Sequence, residues 1–95
     1  MYIRTTTLAY DPAQEEKVLR IIDEQMLPAF RQLPGFVSYA GGFDRAAQRG
    51  VAVTVWETVE QAAGGRTALG SMVQQFEALG VRFEPGQVYE LLRQI

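Results

Sequence analysis

Apolar and polar positions along this 95-residue chain follow two different periods, and the order of those periods is β-α-β-β-α-β. Tyr2 to Tyr10 reads as the first strand. Ile3, Thr5 and Thr7 on one parity, and Tyr2, Thr6 and Leu8 on the other, are β-branched, aromatic or apolar, a composition that suits a pleated strand. At Asp11-Pro12 the period changes. Asp11 suits an N-cap, Pro12 a first helical position and Gln14 the capping-box position. Glu15 and Glu16 then fall in the first turn, where the helix dipole favours anions. Val18, Ile22, Met26, Ala29, Phe30 and Leu33 mark one helical face. Pro28 cannot donate to the Glu24 carbonyl, which predicts a kink or short break there. Pro34-Gly35 ends the helix.

Phe36 to about Phe43 is the second strand, and Gly41-Gly42 inside it predicts a bulge or a close backbone approach. A polar loop, Asp44 to Gly50, leads at once into a third strand, Val51 to Glu57, so the two strands form a hairpin. Thr58 and Gln61 form a capping-box pattern that opens a second helical region. Gly64-Gly65 should divide that region into a short helix and a longer one. The longer one has Leu69, Met72, Val73, Phe76 and Leu79 as its apolar face, and Gly80 closes it. After a Pro85-Gly86 turn, Gln87 to about Gln94 reads as the fourth strand.

Two helical regions cover one face of such a four-stranded sheet, yet the third strand is apolar on both. Val51, Val53 and Val55 point one way, and Ala52, Thr54 and Trp56 the other. In the fourth strand Tyr89 and Leu91 oppose Val88 and Leu92. An apolar sheet face left open is a site for a partner, and an identical subunit on a two-fold axis is the simplest one. The expectation is a homodimer with its sheets packed face to face.

Composition narrows the chemistry. Ninety-five residues allow one domain, spanning 1–95, with an apolar share of 47% that is ordinary for a globular protein. A net charge of −2, from nine Lys+Arg and eleven Asp+Glu, argues against a nucleic-acid surface. With no Cys, disulfides, thiolate chemistry and Cys-ligated metal sites are excluded, and a cytoplasmic location fits. With no His, the commonest general base and metal ligand is missing. No tight Asp/Glu cluster suggests a metal, and no apolar run approaches the roughly 20 residues of a membrane span. No signal-peptide pattern opens the chain.

The β-α-β-β-α-β order, the Pro34-Gly35-Phe36 entry to the second strand and the Val53-Thr54-Val55-Trp56-Glu57-Thr58 exit of the third resemble the antibiotic biosynthesis monooxygenase-like proteins. The late proline in the first helix and the broken second helical region are similar too. The resemblance covers almost the whole chain. It implies an α+β fold, a ferredoxin-like protomer with an antiparallel sheet that forms a dimeric α+β barrel. It also implies cofactor-free oxygenation of a small electron-rich aromatic, a quinol or phenol. Trp56 matches the family tryptophan. Where several members carry a His after that tryptophan, this chain has Ala63-Gly64-Gly65. Where some carry an Asn four residues before it, this chain has Ala52. The axial His of the haem-degrading branch is therefore absent, and no cofactor or metal is expected.

On that reading Trp56 shapes the pocket, Tyr39 or Arg66 stabilises an oxyanion, and Met72 and Phe76 exclude water. Met26 and Phe30 join Met72 and Phe76 on the inner helix faces as the lining of an apolar cavity, Met being adaptable to irregular shapes. Each residue also has a plain packing role. Trp56 suits a core or dimer interface, Tyr39 a half-buried strand position, and the Met and Phe residues the core. Gly64-Gly65 either forms a hinge or only joins two helices, with Arg66 at a pocket mouth or solvated. A non-catalytic dimeric module binding a small apolar ligand is the alternative function. An isomerase or decarboxylase on the same scaffold is a third, since fold does not fix chemistry.

Overall fold

The computed structural model describes residues 1–95. An antiparallel sheet has the strand order β2-β3-β1-β4, with β5 also paired to β1. Its strands are β1 (Tyr2–Ala9), β2 (Phe36–Asp44), β3 (Arg49–Trp56), β4 (Arg82–Phe83) and β5 (Gln87–Glu90). This is the expected ferredoxin-like order, with the last strand in two pieces along one edge of β1. Leu8 and Ala9 face Phe83 and Arg82, while Tyr2 to Thr5 face Glu90 to Gln87. Pro85, which has no N–H to donate, lies in the gap between them. The predicted fourth strand ran on to Gln94, whereas β5 ends at Glu90.

The first helical stretch opens as a 3-10 turn, Pro12–Gln14, capped by Asp11, whose Oδ1 accepts from Ala13 N at 2.9 Å. Gln14 makes no capping box. The stretch continues as α1 (Glu15–Ile21), a π-helical turn (Ile22–Met26) and α2 (Leu27–Arg31). The break expected at Pro28 falls one turn earlier. Leu27 N–H reaches back to Ile22 O, and this wider turn lets the chain pass the missing Pro28 donor and stay helical to Arg31.

The second region forms three short helices, α3 (Val59–Ala63), α4 (Gly65–Leu69) and α5 (Met72–Ala78). The Thr58–Gln61 capping box is formed as predicted. The break at Gly64 is present, and a second one lies at Gly70, where φ is +54° and ψ −128°. Gln25 and Gln75 tie the π-turn to α5 by two reciprocal amide hydrogen bonds of 2.9 Å.

All helices cover one face of the sheet. The core between them joins Tyr10, Val18, Ile21, Met26 and Phe30 to Trp56, Ala62, Leu69, Phe76 and Val81. Val55 is buried but lies outside this cluster, because it pairs with Ile3 and Ser38 on the opposite face. That face carries the exposed Val51 and Tyr89, so the sequence reading of a two-sided apolar strand holds.

One polar cluster pins the hairpin loop to α1. The Glu15 carboxylate accepts from Arg45 Nε at 2.9 Å and Nη2 at 2.8 Å, and from the Tyr10 hydroxyl at 2.9 Å. Arg45 first, and Tyr10 second, hold the Glu15 carboxyl below the usual glutamate range. A depressed carboxyl stabilises the fold above its unfolded pKa and loses that contribution as pH falls through the folded value. The stability advantage of the wild type over Glu15→Gln is therefore expected to be full at neutral pH and to shrink below about pH 4. Thermal unfolding at several pH values measures it, and a difference constant with pH would contradict this role.

Candidate functional site

A one-residue irregularity in β2 decides what faces the helices. Phe36 pairs with Trp56, but Ser38 pairs with Val55 and Tyr39 with Thr54. Without the bulge between Phe36 and Ser38, the side-chain alternation would send Tyr39 to the open face. With it, Tyr39, Thr54 and Ala52 share the helix-covered face with Arg4 and Thr6 of β1.

These five residues form the sheet wall of a cleft. Met26 and Phe30 close it from the first helical stretch, and Gly65, Arg66 and Leu69 from α4, with Phe83 and Glu84 at its edge. The cavity volume is about 60 Å³, within about 520 Å³ of atom-free space that runs out through the mouth. A cavity that holds benzene is about 150 Å³, so an aromatic ligand must displace side chains at the mouth. Arg66 is exposed and Tyr39 only half-buried, and these are the groups free to move.

The cleft's polar groups are few. Arg4 Nη1 donates to the Ala62 and Ala63 carbonyls at 3.3 Å each, capping the end of α3. Burial, and then the charge of Arg66, lower the Arg4 pKa. The Arg66 guanidinium lies 5.6 Å from the centre of the Phe83 ring, a cation–π distance. Burial, and then the nearby Asp23 carboxylate, push the Tyr39 phenol up, so Tyr39 is a neutral donor around pH 7. The Glu84 carboxylate is engaged by Arg49. No group of three or more acidic side chains could hold a metal.

Tyr39, Arg66, Met26 and Phe30, expected as site residues, are thus brought together. Trp56 stands behind the cleft rather than in its lining. It is 1% exposed, and its indole N–H donates to Thr54 Oγ1 at 2.8 Å, so it holds a wall residue in place. Phe76 packs edge-on against Phe83, centroids 5.6 Å apart, and Met72 packs against the core. Neither is in the cleft lining. The residues that sequence reading passed over are Arg4, Thr6, Ala52, Thr54, Leu69, Phe83 and Glu84. Arg4 had a signal: it is a charge in the middle of a strand that is otherwise β-branched, aromatic or apolar.

The expected close approach at Gly41-Gly42 is real at Gly41, where the Tyr39 ring lies in the space a β-carbon would take. On its far side is a second groove, about 320 Å³, with Leu19, Ile22 and Leu27 along one wall; Tyr39 and Ala52 border both spaces. Gly41→Ala is expected to cost about 1–3 kcal/mol by overpacking. In a Tyr39→Ala background the same change should be close to neutral. Urea unfolding of the four variants tests this, and an equal cost in both backgrounds would show that Tyr39 does not rest on Gly41.

Fold and cleft together define a ferredoxin-like α+β fold with a small, mainly apolar cleft between sheet and helices. Solved structures of the antibiotic biosynthesis monooxygenase fold share it. A putative antibiotic biosynthesis monooxygenase from Deinococcus radiodurans matches with a TM-score of 0.75 at 18% identity, over 100% of this chain and 96% of its own. HapK from Hahella chejuensis matches at 0.76 and 15%, over 99% and 95%. The cofactor-independent oxygenase SnoaB from Streptomyces nogalater matches at 0.64 and 20%, over 99% and 93%. No protein-family model and no curated protein matches the chain. No helix is long and apolar enough to cross a membrane.

Proposed function

We propose that residues 1–95 form one domain that acts as a cofactor-independent monooxygenase on a small electron-rich aromatic of the quinol or phenol type. The observation that carries this reading is the cleft itself. It has an apolar lining, a neutral phenol and two guanidinium groups, a set that suits an ionised aromatic. In this chemistry the substrate is the reductant. A deprotonated quinol bonds through a ring carbon to dioxygen and gives a hydroperoxide. Loss of water then leaves one oxygen on the carbon, so hydroquinone and dioxygen become hydroxybenzoquinone and water. The protein's part is to hold the anion in a site of few waters and fixed dipoles. Arg66 and Tyr39 face the oxyanion, Met26 and Phe30 shape the apolar side, and Phe76 and Met72 support it from behind through the core.

The second reading, a binding module without catalysis, is favoured by one specific observation. The only carboxylate lining the cleft, Glu84, is paired with Arg49, so no free side-chain base is at hand. Oxygen uptake with 1,4-dihydroxynaphthalene and a chelator separates the two. Monooxygenation consumes dioxygen above the buffer rate and yields the hydroxyquinone without hydrogen peroxide. Uptake at the buffer rate with peroxide release, alongside a ligand-induced rise in melting temperature, supports the binding module.

The same proposal includes a homodimer through the open sheet face and a cytoplasmic setting. Val51, 42% exposed, and Tyr89, 53% exposed, lie on that face and suit burial against a second copy. Light scattering at micromolar concentration should give twice the 10.6 kDa of one chain, and a clean monomer would refute it.

A further inference from the structure

We infer that Arg4 and Arg66 together make an anion site in the cleft, so that its ligand is an apolar, aromatic molecule bearing a carboxylate or an ionised hydroxyl. The inference deepens the reading above and rests on the same cleft, but not on oxygen chemistry. Both side chains line one cavity of mainly apolar walls. The chain's two ion pairs, Arg45 with Glu15 and Arg49 with Glu84, involve neither of them. What sets Arg4 and Arg66 apart from the other cations without an ion pair is that these two line the same cleft. Arg4 spends Nη1 on the Ala62 and Ala63 carbonyls, and its Nε and Nη2 have no acceptor in the protein. Arg66 donates no hydrogen bond and lies over the Phe83 ring.

The backbone accommodates this arrangement. Gly65 and Gly86 flank the Arg4 side chain, and a β-carbon at Gly86 would meet its guanidinium. Burial first, and the like charge of Arg66 second, work against the charge on Arg4. An anion seated between the two guanidiniums reverses that sign, and a guanidinium can bind a planar oxyanion through two parallel N–H donors. A role limited to capping α3 accounts for Arg4 Nη1 alone, and gives Arg66 nothing to do.

The test is titration calorimetry with 2-naphthoate and its neutral isostere 2-naphthamide, under nitrogen so that no turnover intervenes. The wild type should bind the carboxylate at least about tenfold more tightly than the amide, with the preference falling as salt is added. Arg66→Gln and Arg4→Gln should each bring it to within about twofold, and Arg4→Lys should retain part of it. If Arg4→Gln fails to fold, the exposed Arg66 carries the test unaided. A second arm asks whether ionised hydroxyls are taken: bound 4-nitrophenol should ionise at lower pH in the wild type than in Arg66→Gln. Equal affinity for naphthoate and naphthamide, binding of neither, or a preference that survives Arg66→Gln would overturn the inference. Carboxylate preference without oxygen uptake on any quinol would uphold it and sink the oxygenase reading. Oxygen uptake with no charge preference would do the reverse.

Discussion

Replacing Trp56 with alanine is expected to lower the unfolding free energy by about 3–5 kcal/mol, the range for large-to-small changes at a fully buried aromatic. Trp56 is 1% exposed. It meets Phe30 and Phe36 edge-on, with centroids 5.8 and 5.4 Å away, and such pairs add about 0.5–1.5 kcal/mol each beyond burial. Its N–H satisfies Thr54 Oγ1. For a domain whose total stability is about 5–15 kcal/mol, this is a large share. Trp56→Phe keeps an aromatic ring but orphans the buried Thr54 hydroxyl, at a cost of about 1–3 kcal/mol. Urea denaturation measures both. A direct role of Trp56 on substrate predicts the opposite pattern, loss of turnover with stability intact. A cost below about 1 kcal/mol for alanine would favour that role.

Gly35→Ala should cost about 2–3 kcal/mol, from two causes that can be separated. Gly35 has φ +79°, where an L-residue pays about 1–2 kcal/mol. A β-carbon there would also occupy the space of the Gln61 side-chain amide. That amide accepts from Thr58 N at 3.1 Å, while Thr58 Oγ1 accepts from Gln61 N at 3.2 Å. Pushing it aside breaks half of the capping box of α3, worth about 1 kcal/mol. The helix–strand turn at Gly35 and the start of α3 are thus coupled, although 26 positions separate Gly35 from Gln61. In a Gln61→Ala background, Gly35→Ala should cost only the backbone part. Full additivity in the double-mutant cycle would show that the amide does not rest on Gly35.

The element order and the two-sided character of β3 were legible because both follow from local periodicity. The Thr58–Gln61 capping box was legible for the same reason, since its partners are three residues apart. Gly70 was passed over because a glycine flanked by apolar helical spacing reads as tolerated. Only its φ and ψ show that it ends α4. The Pro28 break was expected but misplaced by a turn. A missing donor can be absorbed anywhere the preceding helix can widen, and the core packing of Met26 and Phe30 decides where.

The candidate site divides along the same line. That Met26 and Phe30 face the sheet was legible because a helical face toward a sheet is predictable from spacing. Trp56 looked like a site residue because a large aromatic at a strand end serves a pocket and a core equally well. Its burial between Phe30, Phe36 and Thr54 settles its packing. Arg4 and Arg66 are 62 positions apart, and no local pattern could pair them.

By itself the sequence determined the order of strands and helical regions and the two apolar parities of β3, because hydrophobic spacing and capping chemistry act over a few residues. Only the tertiary structure decided that Tyr39 shares the face of Thr54. A one-residue bulge between Phe36 and Ser38 shifts the register by one, and in a strand of period two that shift moves every following side chain to the other face.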